Sequence, residues 1–316
     1  MSARQQVIHS NAPVQPGAPG QPGAPGQPGA PGQPGAPVQP GALGHPGAPV
    51  HPGAVIHPGA RVHPGAVIHP GARLDDGVEV GPFCVIGEHV ELGAGTKLGP
   101  HVVVTGHTRL GRNNRVYPFA CLGEIPQDKK YGGEPTRLEI GDNNTIRECC
   151  TFNIGTAQDS GYTSLGDGNW IMAYTHVAHD CHLGNHIVLA NAVQLAGHVT
   201  IDDYVILGGG TLVHQFCRVG AHAFTAGGSV VLRDIPPFVI AGGNSAEPKG
   251  INSEGLKRRG FSAESIEAVR RAYRTLYRSK LSFEDARSVI AEQAQAVPEL
   301  VPLAEFLAAT QRGVAR

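Results

Sequence analysis

Sixteen histidines give this chain its largest stock of groups that could move a proton near neutral pH, and their spacing sorts them. One set is crowded: His176-Val177-Ala178-His179-Asp180-Cys181-His182, with His198, His214 and His222 further along. Neutral imidazole is a base at cytoplasmic pH, and an adjacent carboxylate can orient the ring and favour its protonated form. His-x-x-His-Asp is therefore a candidate general base with its attendant carboxylate. Two other readings stay open on spacing alone: histidines that only decorate turns, and three imidazoles converging on zinc. A second set, His45, His51, His57, His63 and His69, recurs every six residues, each directly after an aliphatic or small apolar position in near-identical Pro-Gly-Ala surroundings. Those read as solvent-facing repeat residues.

The same period of six runs through the elements that must carry these groups. Branched aliphatics stand at Val50, Ile56, Val62, Ile68, Leu74, Val80, Ile86, Leu92, Leu98, Val104, Leu110, Val116 and Leu122. The frame returns at Ile140 and Ile146 after an interruption at residues 123–139, and a second interruption near 153–164 shifts its phase. It resumes at Leu165 and runs through Ile171, Val177, Leu183, Leu189, Leu195, Ile201, Leu207, Val213 and Val219; Thr225 breaks it once before Val231. Four places after the aliphatic sits something small: Ala54, Ala60, Ala66 and Ala72, then Cys84, Cys150, Cys181 and Cys217. Such hexads predict a parallel β-helix, one short strand and one turn per hexad and three hexads per 18-residue coil. The aliphatic wedges the interior and the small residue fits the bend. Coils stack at roughly 4.8 Å, so contacts run between residues 18 apart. His179 then lies under position 197 and Asp180 under His198, with His214 within two residues of the next equivalent place. The chemistry-bearing groups are predicted to stack along one edge of a prism. The cysteines at small positions are packing thiols, since no Cys-x-x-Cys pair exists.

Composition limits the rest. A net charge of −1 leaves no electrostatic footprint for nucleic acid. No window approaches the ~18 apolar residues of a membrane span, and no signal-peptide core follows the start, so no integral membrane association and a cytoplasmic location are expected. Residues 1–49 hold a Pro/Gly-rich, low-complexity extension built on Gln-Pro-Gly-Ala-Pro-Gly. It keeps the frame but puts Gly20, Gly26, Gly32 and Gly44 where wedges should stand, so it reads as disordered or polyproline-like. The β-helix is placed at 50–251. A C-terminal α-helical domain at 252–316 follows, with Ser262 capping a helix to about Lys280, Ser282 and Asp285 opening a second, and Pro298 preceding a third.

Several segments carry a resemblance: Gly81-Pro82-Phe83-Cys84, Gly132-Gly133-Glu134-Pro135-Thr136-Arg137, His176 to Cys181, Leu195-Ala196-Gly197-His198, His214-Gln215-Phe216-Cys217 and Glu254 to Gly260. In order and spacing, from about Val55 to Arg316, they resemble the UDP-N-acetylglucosamine 3-O-acyltransferase family. The resemblance implies the left-handed form of the parallel β-helix. It also implies transfer of an R-3-hydroxyacyl chain from acyl carrier protein to the sugar 3-hydroxyl of UDP-N-acetylglucosamine, the first step of lipid A synthesis. His179 would be the general base, Asp180 its orienting carboxylate, and the Gly197 N–H an oxyanion donor. Asp128, Lys130, His176, His198, His214 and Gln215 would surround the sugar and phosphates, and Asn252, Glu254, Arg258 and Arg259 would hold the uridine diphosphate. Gly227 would form the floor of the acyl groove and act as the chain-length ruler, open enough for about fourteen carbons. A homotrimer is implied, and neither cofactor nor metal. One departure stands out: the family's usual Thr-Ile-His-Arg-Gly-Thr reads Thr151-Phe152-Asn153-Ile154-Gly155-Thr156, so phosphate contacts by that loop are not carried over.

Three rival readings are separable. A related N-acyltransferase of the same pathway would need a uridine-binding domain ahead of its β-helix, which residues 1–54 do not provide. A zinc hydro-lyase on this fold would hold stoichiometric metal. A scaffold would bind neither UDP-sugar nor carrier protein. The residues also admit a 3-amino sugar as acceptor, giving an amide.

Overall fold

The computed structural model describes residues 51–316; the expectations for residues 1–49 lie outside the described residues. From Val55 onward the chain winds through short strands, mostly two residues long, into three sheets of nine, eleven and nine strands, parallel except for the last strand of the eleven. Successive coils pair in register at steps of 18, as in Val55 on Arg73 and His182 on Thr200. The two expected interruptions are insertions between consecutive strands. Cys121–Glu124 is followed by Arg137–Ile140, and Thr151–Asn153 by Tyr162–Leu165. Pairing resumes across both, Thr108 on Leu138 and Phe152 on Val177, with a bulge between Leu122 and Glu124 where Cys121–Glu124 meets Thr151–Asn153.

The wedge positions form the core: Ile68, Ile86, Leu122, Ile146, Val177, Leu195 and Leu207 are among its fully buried members. Phe152 continues the frame as an aromatic wedge. Ile56 and Val62 are only half-buried. The small positions do what their size demands, and Cys84, Cys150, Cys181 and Cys217 are all buried there. All four thiols donate to carbonyls across the coil (Cys84 to Gly99, Cys150 to Met172, Cys181 to Ala196 and, more loosely, Cys217 to Val231). Burial pushes the Cys150 and Cys217 thiols up to about 11 and Cys181 to about 12. They are packing groups, not nucleophiles. Elsewhere the same place holds a buried asparagine column. The Asn114 side chain accepts from Asn144 N–H, and that of Asn144 from Asn169 N–H, while the Asn114 and Asn144 amides donate to Gly141 and Gly166 carbonyls. A polar residue at this depth is tolerable because its hydrogen bonds are satisfied.

The third residue after most wedges turns the corner with positive φ. Phe83, His101, Phe119, Asp180, His198, Phe216 and His222 all lie between 57° and 64°. Side chains there stack from coil to coil, giving aromatic columns along the prism edges such as Phe83–His101–Phe119 and His186–Tyr204–His222–Phe238. The second residue after the wedge contributes no N–H to the ladder, except Ile154 at the second insertion. Pro64, Pro82, Pro100 and Pro118 occupy this second place. On one edge that N–H donates instead to a side-chain oxygen of the next coil: Arg112 to Asp142, Asp142 to Asp167, Asp167 to Asn185 and Asn185 to Asp203, at 2.6–2.8 Å.

After Val231 the coil closes with an antiparallel pair, Val239–Gly242 on Glu247–Ile251. Four helices follow: α1 (Ser253–Arg258), α2 (Ala263–Tyr277), α3 (Phe283–Ala296) and α4 (Val301–Ala309). Ser262 and Ser282 cap α2 and α3 through the N–H groups of Ser265 and Asp285, as their sequence positions predict. Ile266, Val269, Leu276, Ile290, Leu303, Phe306 and Leu307 bury a second core, into which Phe238 and Leu256 also pack. The antiparallel pair and α1 had no periodic signal and were not anticipated.

Candidate active site

Residues 177 and 195 are wedges of consecutive coils, so each is followed by the same backbone turn. His179 and Gly197 therefore sit one above the other at the second place, and Asp180 and His198 at the third. The His198 N–H donates to the His179 carbonyl at 3.1 Å, and the two rings meet edge to face at 5.0 Å. His179 Nδ1 donates to Asp180 Oδ2 at 2.8 Å. That bond selects the tautomer whose Nε2 keeps its lone pair.

Asp180 is 1% exposed. Burial pushes its carboxyl up, but hydrogen bonds from His179 and Thr156 outweigh burial, and with the nearby His198 ring they hold it below the usual carboxylate range. Thr156 supplies both its N–H to Oδ1 and its hydroxyl to Oδ2, at 2.9 and 2.7 Å. The carboxylate is thus a fixed anion under the imidazole. A Cβ at Gly197 would lie 2.7 Å from His179 Cε1, so only glycine lets the ring rest over that backbone. The Gly197 N–H occupies the place where other hexads carry proline, and among the described residues it meets no acceptor.

The cleft beside these groups has a volume of about 470 Å³ and takes in Asp128, Lys130, Asn153, His176, His179, His198 and Gln215. Asp128 and Lys130 come from the first insertion, where Asp128 Oδ1 accepts the Lys130 N–H at 3.0 Å. His176 Nδ1 shares a hydrogen bond of 2.8 Å with the Thr151 hydroxyl, and burial, then the nearby His179, lowers its pKa. Asn153 is a lining residue that the sequence reading treated only as a departure. Its amide donates to the Glu124 and Ile125 carbonyls, while its Oδ1 is buried without a partner.

Other expected residues lie elsewhere on the chain. His214 is exposed beside the cleft, its Nδ1 bonded to the Gln215 carbonyl. Asn252, Glu254, Arg258 and Arg259 gather on α1, at the corner formed by Tyr204 and His222. Asn252 caps α1 through the Gly255 N–H and ties it to the His222 carbonyl. Glu254 pairs with Lys257 at 2.8 Å, and the Arg259 guanidinium lies 4.1 Å above the Tyr204 ring. His222 belongs to this corner and not to the edge that carries His179. Gly227 lies on the remaining edge, near Gly209 and beside Gly210 and Gly228. Among the described residues, His179, Asp180 and His198 are the one group of potential metal ligands close enough to share an ion.

A stacked parallel prism with an imidazole–carboxylate pair over a free backbone N–H defines a hexapeptide-repeat acyltransferase of the left-handed β-helix class. Comparisons carry this further. The bacterial transferase hexapeptide model matches residues 53–88 and 71–106, and the model for the second domain of UDP-N-acetylglucosamine O-acyltransferases matches residues 234–315. The acyl-[acyl-carrier-protein]–UDP-N-acetylglucosamine O-acyltransferases of Janthinobacterium sp. (strain Marseille) and Thiobacillus denitrificans are each 58% identical to the chain, over 208 and 203 residues. The matches cover 65% and 64% of the chain and 79% of each relative. The UDP-N-acetylglucosamine acyltransferase structure from Francisella novicida aligns with a TM-score of 0.75 and 42% identity, over 84% of this chain and 94% of that one. The Moraxella catarrhalis UDP-N-acetylglucosamine O-acyltransferase aligns with a TM-score of 0.79 and 41% identity, over 81% and 99%. The chain belongs to the acyl-[acyl-carrier-protein]–UDP-N-acetylglucosamine O-acyltransferase family.

Proposed function

We propose that the chain transfers an R-3-hydroxyacyl group from acyl carrier protein to the 3-hydroxyl of UDP-N-acetylglucosamine, as the first step of lipid A synthesis in the cytoplasm. The observation that carries this reading is His179, held by a buried carboxylate and resting on the Gly197 backbone at the wall of a polar cleft. His179 Nε2 takes the proton of the sugar hydroxyl as that oxygen attacks the thioester carbonyl. The tetrahedral oxyanion accepts the Gly197 N–H. Collapse breaks the carbon–sulfur bond, and the imidazolium returns its proton to the departing thiolate. The buried Asp180 carboxylate stabilises that imidazolium. Asp128, Lys130, His176, His198, His214 and Gln215 contact the sugar and phosphates.

Asn252, Glu254, Arg258 and Arg259 hold the uridine diphosphate, for which a planar guanidinium fork is suited. In one chain they lie at a different corner from His179, so the reading requires a neighbouring subunit to bring the two halves together in a homotrimer. An acyl-transfer assay with UDP-N-acetylglucosamine and 3-hydroxyacyl carrier proteins tests it. His179→Ala should lower turnover by about 10²–10⁴-fold, the usual cost of losing a general base, with UDP-sugar binding and melting temperature nearly unchanged. Retention of more than a tenth of the wild-type rate would remove His179 from this role. Transfer to the 3-amino sugar alone would make the product an amide.

A further inference from the structure

We propose that Asp159 is a positioning residue of this site: it holds the His198 ring by Nδ1–H, so that Nε2 faces the cleft as the acceptor for a hydroxyl of the bound substrate. The inference rests on the reading of the cleft given above. Asp159 lies in the second insertion, and its Oδ2 is 2.5 Å from His198 Nδ1. The other carboxylate facing that nitrogen, Asp180, is 3.9 Å away. Asp180 is already engaged, taking the Thr156 N–H at Oδ1 and the Thr156 hydroxyl and His179 at Oδ2. Each imidazole of the pair therefore has its own carboxylate.

The His198 ring has little other freedom. It stacks on Phe216 at 4.3 Å with planes 10° apart, and the edge of His179 closes a further side. Stacking fixes the plane of the ring but not which of its two flipped orientations it adopts. The Asp159 carboxylate makes that choice, because only an N–H can bond to it. In the neutral ring the proton is then at Nδ1 and the lone pair at Nε2, the nitrogen left for the cleft that His198 lines.

Asp159 can hold a ring in this way only if its own loop is held, and it is. The Thr136 hydroxyl donates to the Gly155 carbonyl at 2.6 Å, and the Gly155 N–H to the Arg137 carbonyl at 3.2 Å. Thr156 is pinned on Asp180, and the Asp159 N–H reaches the Thr156 carbonyl at 3.4 Å. The Ser160 hydroxyl closes the loop on the Tyr162 carbonyl at 3.2 Å. The insertion thus brackets both imidazoles, Asp180 through Thr156 and His198 through Asp159.

Three measurements on the full chain test the assignment. Nitrogen-15 spectra of histidine-labelled protein should show His198 protonated at Nδ1 in the wild type and shifted toward the other tautomer in Asp159→Ala. Asp159→Ala should lower kcat/KM on the order of tenfold, since a hydrogen bond to a charged partner is lost. Asp159→Asn, whose amide oxygen still accepts, should lose less. In a double-mutant cycle, Asp159→Ala should cost nothing further once His198 is alanine. Acyl donors with and without the 3-hydroxyl identify which substrate hydroxyl is accepted: a loss confined to the hydroxylated donor points to the acyl chain, and an equal loss to the sugar. An unchanged tautomer, an Asp159→Ala rate within twofold of wild type, or losses that multiply in the double variant would each overturn the proposal. An active His179→Ala variant would instead overturn the reading of the cleft, and the tautomer measurement would still judge Asp159.

Discussion

Two adjacent places in the hexad, second and third after the wedge, carry His179, Asp180, Gly197, His198, Gln215 and Gly227. The N–H of the first takes no part in the ladder and the second projects from a corner at positive φ, so side chains there can be exchanged without disturbing the coil. His222 uses a corner place for stability. It is sandwiched between Tyr204 and Phe238, its Nδ1 is buried without a partner, and burial together with the Arg259 charge lowers its pKa to about 4 against the pull of Asp203. The folded protein thus keeps this ring neutral, whereas the unfolded chain protonates it from about pH 6.5 downward. The stability tied to it is complete above that pH and is lost as pH falls toward 4. His222→Phe preserves the stack, and phenylalanine already occupies equivalent corners at Phe83, Phe119 and Phe216. The melting temperature of this variant should fall less steeply between pH 7 and pH 5 than that of the wild type. Parallel slopes would show that His222 is not the group responsible.

At the scale of elements, the edge that carries Gly209, Gly210, Gly227 and Gly228 presents backbone where its neighbours present rings. A Cβ at Gly227 would meet only the Gly209 carbonyl oxygen, at 3.4 Å, and φ there is not positive, so a side chain fits without backbone strain. If this edge floors the acyl groove, the wild type should prefer fourteen-carbon over ten-carbon 3-hydroxyacyl carrier proteins, and Gly227→Met should reverse the order. Each excluded methylene forfeits ~0.8 kcal/mol of burial. Competition assays with the two donors decide it, and an unchanged preference would move the ruler elsewhere, Phe224 being the nearby alternative. The coils were legible in the sequence because a period of six leaves its mark at every turn, and the 18-residue step alone brings His179 against Gly197 and Asp180 against His198. The α2 and α3 caps were legible from Ser262 and Ser282. The insertions were legible only as gaps in the frame. Nothing periodic connects Asp159 to His198 or Thr156 to Asp180, because those contacts depend on where an aperiodic loop is tied down. For the same reason α1 and the pair Val239–Gly242 and Glu247–Ile251 escaped notice.

At the scale of the molecule, the corner that carries Arg259 and the edge that carries His179 belong to one chain but not to one cleft. Light scattering should return the mass of three chains for an active preparation. Mixing unfolded His179→Ala and Arg259→Ala chains and refolding them together should restore activity, because about a quarter of randomly assembled shared sites would pair an intact His179 with an intact Arg259. A monomeric mass, or mixtures no more active than either variant alone, would contradict a shared site. The N–H that the ladder leaves unused at the second place, wherever that place is not proline, bears on how such an enzyme could originate. Since that place comes with every turn of the coil, an oxyanion site needs no new backbone, only the replacement of a proline or a capping carboxylate by a small residue beside a suitable base. Duplication of a coil copies the donor with it. Between Pro118 and Pro237 no proline stands at this place, and His179, Gly197, Gln215 and Gly227 all lie in that stretch. Ancestry by repeat expansion and the acquisition of catalysis can then be separate events, the first building a silent prism and the second recruiting a few turns of it by point substitution.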